Sequence, residues 1–249
     1  MSVAHSLLQY KDSNGKVYEG DLYVPRNLNS RIECGLDCLS SRVRTTGMRK
    51  LPGVVIYPAF RGITEFEKEK AKALAQEGYI ALAADPFGKG IRPTDKMECL
   101  GMVRPLVSER VKGLKPVIIA AVNAIKTVQG IDVQKIGAIG FCFGGTCVLD
   151  LARYNIGLKA VVSYHGTLKA IPDIPLDKIV GTAIQAHHGD ADTHIPKEQV
   201  DEFLVEMRAR NADFVFANAD SFGLPGVKYN EKAAKRSWSA TLSLFKEVF

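Results

Sequence analysis

From residue 53 onward, short apolar runs alternate with longer stretches of helical period, and few folds accommodate that rhythm. Gly53-Val54-Val55-Ile56-Tyr57 is a continuous apolar run held between Pro52 and Pro58, as expected of a strand buried on both faces. Residues 64–76 follow with Phe66, Ala71, Leu74 and Ala75 at helical spacing, and Gly78 stands where helices commonly end. Residues 79–84 read as the next strand. Residues 103–129 read as a long helical stretch that Gly113 and Pro116 should break. Strands at 135–141, 158–164, 180–187 and 214–216 then alternate with helices at 145–154, 196–210 and 231–249. Strand–helix alternation means a mostly parallel sheet with helices on both faces. In such α/β sheets the chemistry lies beyond the carboxyl ends of the strands.

Residues 6–24 differ. The Ser13-Asn14-Gly15 turn leads into 17–24 as the second arm of an antiparallel hairpin at the sheet edge. Residues 26–50 form a polar, aperiodic insertion, longer than compact domains usually carry. Its Cys34 and Cys38 have no second pair nearby, so they read as surface thiols rather than half a metal site. With 249 residues the chain is read as one domain, 1–249, able to bury a core without staples.

Composition narrows the classes. The apolar share of 46% and charged share of 24% exclude a disordered chain or a coiled coil. A net charge of +6 from scattered Lys and Arg suits a solvated surface better than a nucleic-acid face. No apolar run reaches the ~18 residues of a membrane span. Met1 to Tyr10 lack a signal peptide's charged and apolar regions. Five cysteines without an export signal suggest reduced thiols in a cytoplasmic compartment.

The strongest chemical signal is Gly140-Phe141-Cys142-Phe143-Gly144-Gly145, between an expected strand and an expected helix. This is the context of a nucleophile elbow, with Cys142 where serine often stands. Gly140 and Gly144 flank it because side chains there would clash with a sharp turn. The helix start behind Cys142 would favour a thiolate, and the Phe143 N–H would face a developing oxyanion. Cys147, inside the helix, reads as core. The second signal is the segment 188–196, after an apolar strand, where Asp192 is a better candidate acid than Asp190. Nucleophile, then acid, then histidine is the chain order of an α/β-hydrolase, yet no histidine follows His194. The five are His5, His165, His187, His188 and His194. His194 could substitute as base, although its place in one turn with Asp192 makes the relay to Cys142 awkward. His165 reads as pocket wall, and His187 and His188 as satisfied core. Arg61, Lys89 and Arg92 lie in loops where they could hold a substrate carboxylate. Tyr164, with Tyr57, stands at a strand end and could line the pocket, although plain core packing is the favoured reading.

These residues resemble the dienelactone hydrolase family, the carboxymethylenebutenolidase-like α/β-hydrolases. The resemblance rests on PAFRGITEFEKEKAKALAQEGYIALAADPFGKG, GFCFGGTCVLDLAR, SYHG, HHGDADTHIP and YNEKAAKRSW, and covers about residues 52–249 and, more loosely, the N-terminal hairpin. It implies an α/β-hydrolase fold, a Cys–His–Asp triad and hydrolysis of small-molecule esters or lactones. It implies no metal and no organic cofactor. Carried onto this chain, Cys142 matches the nucleophile and Asp192 the acid. The backbone N–H groups of Phe60 and Phe143 match the oxyanion hole. The family's His-bearing motif after the last strand is missing. Either Asp220-Ser221-Phe222 stands in its place, or a short segment is absent between Phe216 and Ala219; the spacing favours absence. A Glu that many members keep at the position of Ala59 is missing too. Three readings follow: an ester or lactone hydrolase, a non-catalytic binding or scaffold protein on the same fold, or a shortened form of an active enzyme. Substrate identity and oligomeric state stay open.

Overall fold

The computed structural model describes residues 1–26, 50–172, 174–189, 192, 195–218 and 231–249. The polar insertion, with Cys34 and Cys38, lies outside the described residues. Among the described residues, eight strands form one sheet in the order β1-β2-β4-β3-β5-β6-β7-β8. Strands β1 (Val3–Lys11) and β2 (Val17–Pro25) make the expected edge hairpin, and β2 runs antiparallel to β4 (Ile80–Ala83). From β4 outward through β3 (Leu51–Tyr57), β5 (Ile131–Phe141), β6 (Ala160–Tyr164), β7 (Ala183–His188) and β8 (Asp213–Asn218), every pairing is parallel.

Alternate residues of the central strands feed two cores. Val54 and Ile56 pack with α1 (Glu65–Gln76) and α6 (Glu231–Val248) on one face. Val55 and Tyr57 pack with α3 (Lys115–Lys126), α4 (Phe143–Arg153) and α5 (Lys197–Ala209) on the other. This is why the strands read as unbroken apolar runs rather than alternating ones. The long helical stretch starts earlier than its apolar pattern suggests. Asp95 caps α2 (Lys96–Ser108) by accepting from the Met97 and Glu98 amides at 2.8 and 3.0 Å. The expected break is a π-helical turn, Arg110–Leu114, that contains Gly113, and Pro116 sits in the first turn of α3 where its missing N–H costs nothing.

Tyr57 belongs to the core: its hydroxyl donates to the Ile118 carbonyl at 2.5 Å beneath α3. No described helix is long and apolar enough to cross a membrane. The parallel register carries the strand ends to one rim. Phe141, Tyr164 and His187 are paired neighbours across β5, β6 and β7, so Cys142, His165 and His188 each follow one step beyond that row.

Candidate active site

Only Cys142 separates β5 from α4. Its φ of 53° and ψ of −112° put a non-glycine residue in the left-handed half of the map, a costly conformation that the surroundings must impose. Two hydrogen bonds impose it: the Cys142 amide donates to the Tyr164 carbonyl at 2.8 Å, and its carbonyl accepts from the Thr146 amide at 3.3 Å. The flanking glycines make the turn possible. A Cβ on Gly140 would lie 1.9 Å from the Gly144 oxygen, and one on Gly144 would lie 2.0 Å from the Tyr57 oxygen. Gly145 meets Gly166, two residues beyond β6, where a Cβ would come within 2.8 Å of the Gly166 Cα. The clash anticipated from the motif is therefore with backbone that cannot give way.

The thiol does not behave as the helix start alone would suggest. Burial pushes its pKa up, and the charge of Asp192 pushes it further the same way. The hydrogen bond from the Phe143 N–H pulls it down but does not prevail. Cys142 is half-buried, not walled in, and lies between two cavities of about 440 and 480 Å³. Phe60, Arg61 and His165 line both of them with Cys142; Phe143 lines the second.

Asp192 lies in the loop after β7, where its amide closes a turn onto the Gly189 carbonyl at 3.0 Å. It is buried, and its Oδ2 lies 2.5 Å from the Nδ1 of His165. His165 follows β6, is also buried, and has a φ of 56° with its amide donating to the His187 carbonyl at 3.0 Å. The structure thus brings Cys142, His165 and Asp192 to one rim of the sheet. Sequence reasoning placed His165 in the pocket wall, where it is, and missed its pairing with Asp192. No local spacing signals that pairing: the two residues follow different strands and meet only because β6 and β7 lie side by side. Asp190, His194 and residues 219–230 lie outside the described residues, and with them Asp220-Ser221-Phe222, weighed as the place of a family histidine.

The other candidates divide. Arg61 lines both cavities and its guanidinium lies 5.7 Å from the Phe60 ring. Lys89 and Arg92 line neither cavity, a correction to their expected place. Lys89 faces Glu19 at 3.8 Å, and Arg92 reaches the Glu19 carbonyl at 2.9 Å and Asp85 at 3.4 Å. Those contacts fasten the loop after β4 to the edge hairpin instead. Tyr164 lines the first cavity with its ring stacked between Phe141 and His187, while its hydroxyl is tied to Thr241 and burial raises its pKa.

Two further cavity residues escaped the sequence reading. Glu67 is buried in the first cavity, where Oε2 accepts from the Thr64 amide at 2.8 Å and from the Thr64 hydroxyl at 2.6 Å. The spacing Thr64-Glu65-Phe66-Glu67 is a capping-box signature and could have found it. Its Oε1 also accepts from the Ala59 amide at 3.4 Å, so a carboxylate from α1 reaches the stretch that carries Phe60. Lys70 places its ammonium 4.4 Å from the Trp238 ring and 5.4 Å from the Phe66 ring, with burial lowering its pKa.

A strained residue on a glycine-flanked strand–turn–helix corner, at the carboxyl rim of this sheet, defines an α/β-hydrolase architecture. The chain belongs to the dienelactone hydrolase family, whose model matches residues 40–249. An uncharacterized protein of Caenorhabditis elegans, K02A2.1, is 50% identical over 157 residues, 58% of this chain and 99% of that protein. A Salmonella typhimurium protein bearing the name "Putative carboxymethylenebutenolidase" is 28% identical over 211 residues, covering 78% of this chain and 77% of its own. Among solved structures, a dienelactone hydrolase-like promiscuous phosphotriesterase from metagenomic libraries superposes with a TM-score of 0.83 at 26% identity, over the full length of both chains.

Proposed function

We propose that the protein hydrolyses ester or lactone bonds of small molecules with the Cys142 thiol as nucleophile. The observation that supports this best is the thiol itself, held at a strained turn between two cavities rather than lodged in the core. The sulfur attacks the carbonyl carbon, and the carbonyl π pair moves onto oxygen. The N–H groups of Phe143 and Phe60 receive that oxyanion. Collapse expels the alcohol, or the ring oxygen of a lactone, and leaves a thioester on Cys142. Water then releases the acid and restores the thiol. Asp192 is the acid of the relay, and Arg61 is the cation placed to meet an anionic group on the substrate.

The three described free cysteines support work in a reducing, cytoplasmic compartment. The edge hairpin shares the hydrolase sheet, which supports one domain over 1–249 with a polar insertion at about 26–50. Turnover of p-nitrophenyl acetate by the parent and by Cys142→Ala tests the reading. The variant should lose at least ~10³-fold in rate, as loss of a nucleophile does. Equal rates would remove Cys142 from the chemistry. The raised thiol pKa favours one rival, a binding protein without turnover. That rival predicts that both proteins are equally inert while ligands still occupy the cavities.

A further inference from the structure

Resting on the hydrolase reading, we propose that His165 is the general base that serves Cys142, and that Asp192 positions it. A neutral thiol must lose its proton as sulfur attacks, so the site requires a proton acceptor. Four histidines are described, and they have different neighbours. His5 faces Asp21 at 2.7 Å on the edge hairpin. His187 stacks on Tyr164 at 5.0 Å between ring centroids, and His188 lies 5.7 Å from the Phe216 ring. His165 alone of the four lines the two cavities that hold Cys142.

Backbone strain singles out the same pair. The described non-glycine residues with positive φ are Cys142, Asn155, His165 and Asn211. Asparagine visits this region readily; cysteine and histidine need a reason. Both strained residues stand one step past paired positions of adjacent parallel strands, over the same cavities. Strain of this kind persists where surrounding structure enforces it and clusters at active sites. Asp192 completes the arrangement. Its Oδ2 lies 2.5 Å from Nδ1, where a carboxylate favours the tautomer protonated on Nδ1, with Nε2 as the basic nitrogen. Among the described residues, the charged groups around His165 are Asp192 from the loop after β7, Arg61 and Glu67 across the first cavity, Lys70 on α1, and Lys96 on α2 across the second.

The proton balance is simple. The Nε2 lone pair takes the Sγ proton as the S–C bond forms. The same proton passes to the leaving oxygen as the C–O bond breaks. Nε2 then takes a proton from water as its oxygen attacks the thioester, and returns it to the departing sulfur. Asp192 exchanges no proton in this cycle and acts only through Nδ1.

The test is the pre-steady-state release of p-nitrophenol from p-nitrophenyl acetate by the full chain, followed against pH. The variants are His165→Asn, His165→Gly, Asp192→Asn and His194→Gln, with Cys142→Ala as reference. Asparagine and glycine both tolerate φ near 56°, so the turn is kept while the base is removed. His165→Asn should slow acylation ~10²- to 10⁴-fold and abolish the rising acidic limb of the pH profile. Added imidazole should partly restore His165→Gly, which no purely structural role would allow. Asp192→Asn should lower the rate with the histidine still present. Acylation within threefold of the parent and an unchanged limb in His165→Asn would overturn the assignment, as would transfer of the whole loss to His194→Gln. Should His165→Asn fail to fold, a parent-like rate and pH limb in Asp192→Asn would overturn it instead. If Cys142→Ala is inactive while His165→Asn is not, only the base falls. If Cys142→Ala turns over ester like the parent, the hydrolase reading falls with it.

Discussion

The two ends of helix α4 use their residues in opposite ways. At its start, Cys142 is strained, glycines strip side chains from the turn, and two cavities adjoin the thiol. At its other end, charges are sealed in. Asp150 is fully buried and accepts from the Arg110 Nε at 2.8 Å and from the Arg153 Nη1 at 3.1 Å. Arg153 reaches on to Glu206 of α5 at 2.8 and 3.0 Å, and Arg210 joins Glu206 at 2.8 Å. Burial alone would raise the Glu206 pKa; the two guanidiniums hold it below its usual range. One helix thus serves two purposes. Its buried, fully bonded end ties the α2–α3 turn and α5 to the sheet. That anchorage lets the opposite end keep an unfavourable backbone and an accessible thiol.

The comparison breaks if stability and activity respond together. Asp150→Ala leaves Arg110 and Arg153 buried without their carboxylate and should cost about 3–5 kcal/mol. Urea unfolding should show that loss, while the rate per folded molecule stays near the parent's. Cys142→Ala should do the reverse.

Acid should come next in size. Burial pushes the His187 pKa down to about 4, so the unfolded chain takes a proton that the folded chain refuses. The folded value lies below the unfolded one, near ~6.5, so this stability is complete above that pH. It should fall by up to about 3 kcal/mol as pH drops from ~6.5 towards 4. The depressed Glu206 adds to the loss at lower pH, because stability from a lowered carboxyl pKa disappears as the group protonates. Unfolding midpoints of the parent and of His187→Gln between pH 7 and 4 would measure the first contribution. A variant as acid-labile as the parent would contradict it.

The smallest expected effect separates the two thiols. Cys147 is buried one turn into α4, and burial raises its pKa well above the ordinary thiol range. Cys147→Ala should cost about 1 kcal/mol and leave turnover unchanged. Iodoacetamide should label Cys142 in the native protein and Cys147 only after unfolding, as peptide mapping would show.

Much of this was legible in the residues. The parallel sheet followed from unbroken apolar runs such as Val54-Val55-Ile56, because strands covered on both faces show no alternation. The elbow followed from two glycines around Cys142, because the clash is local. The pairing of His165 with Asp192 was not legible, since the two residues are far apart in sequence and meet only through strand register. Lys89 and Arg92 were misplaced for a similar reason. Their partners Glu19 and Asp85 come from the hairpin edge and the β4 end, a contact that no local spacing announces. The thiol's raised pKa was also hidden, because burial and the Asp192 charge outweigh the visible helix-start effect.

During turnover a carbonyl carbon should bond to the Cys142 sulfur. Acid quenching during turnover of p-nitrophenyl acetate, followed by peptide mass spectrometry, tests it directly. One acetyl group should appear on the peptide carrying Cys142 and chase away on dilution of the ester. Steady p-nitrophenol release with Cys142 unmodified, or with the acetyl group on another residue, would contradict it.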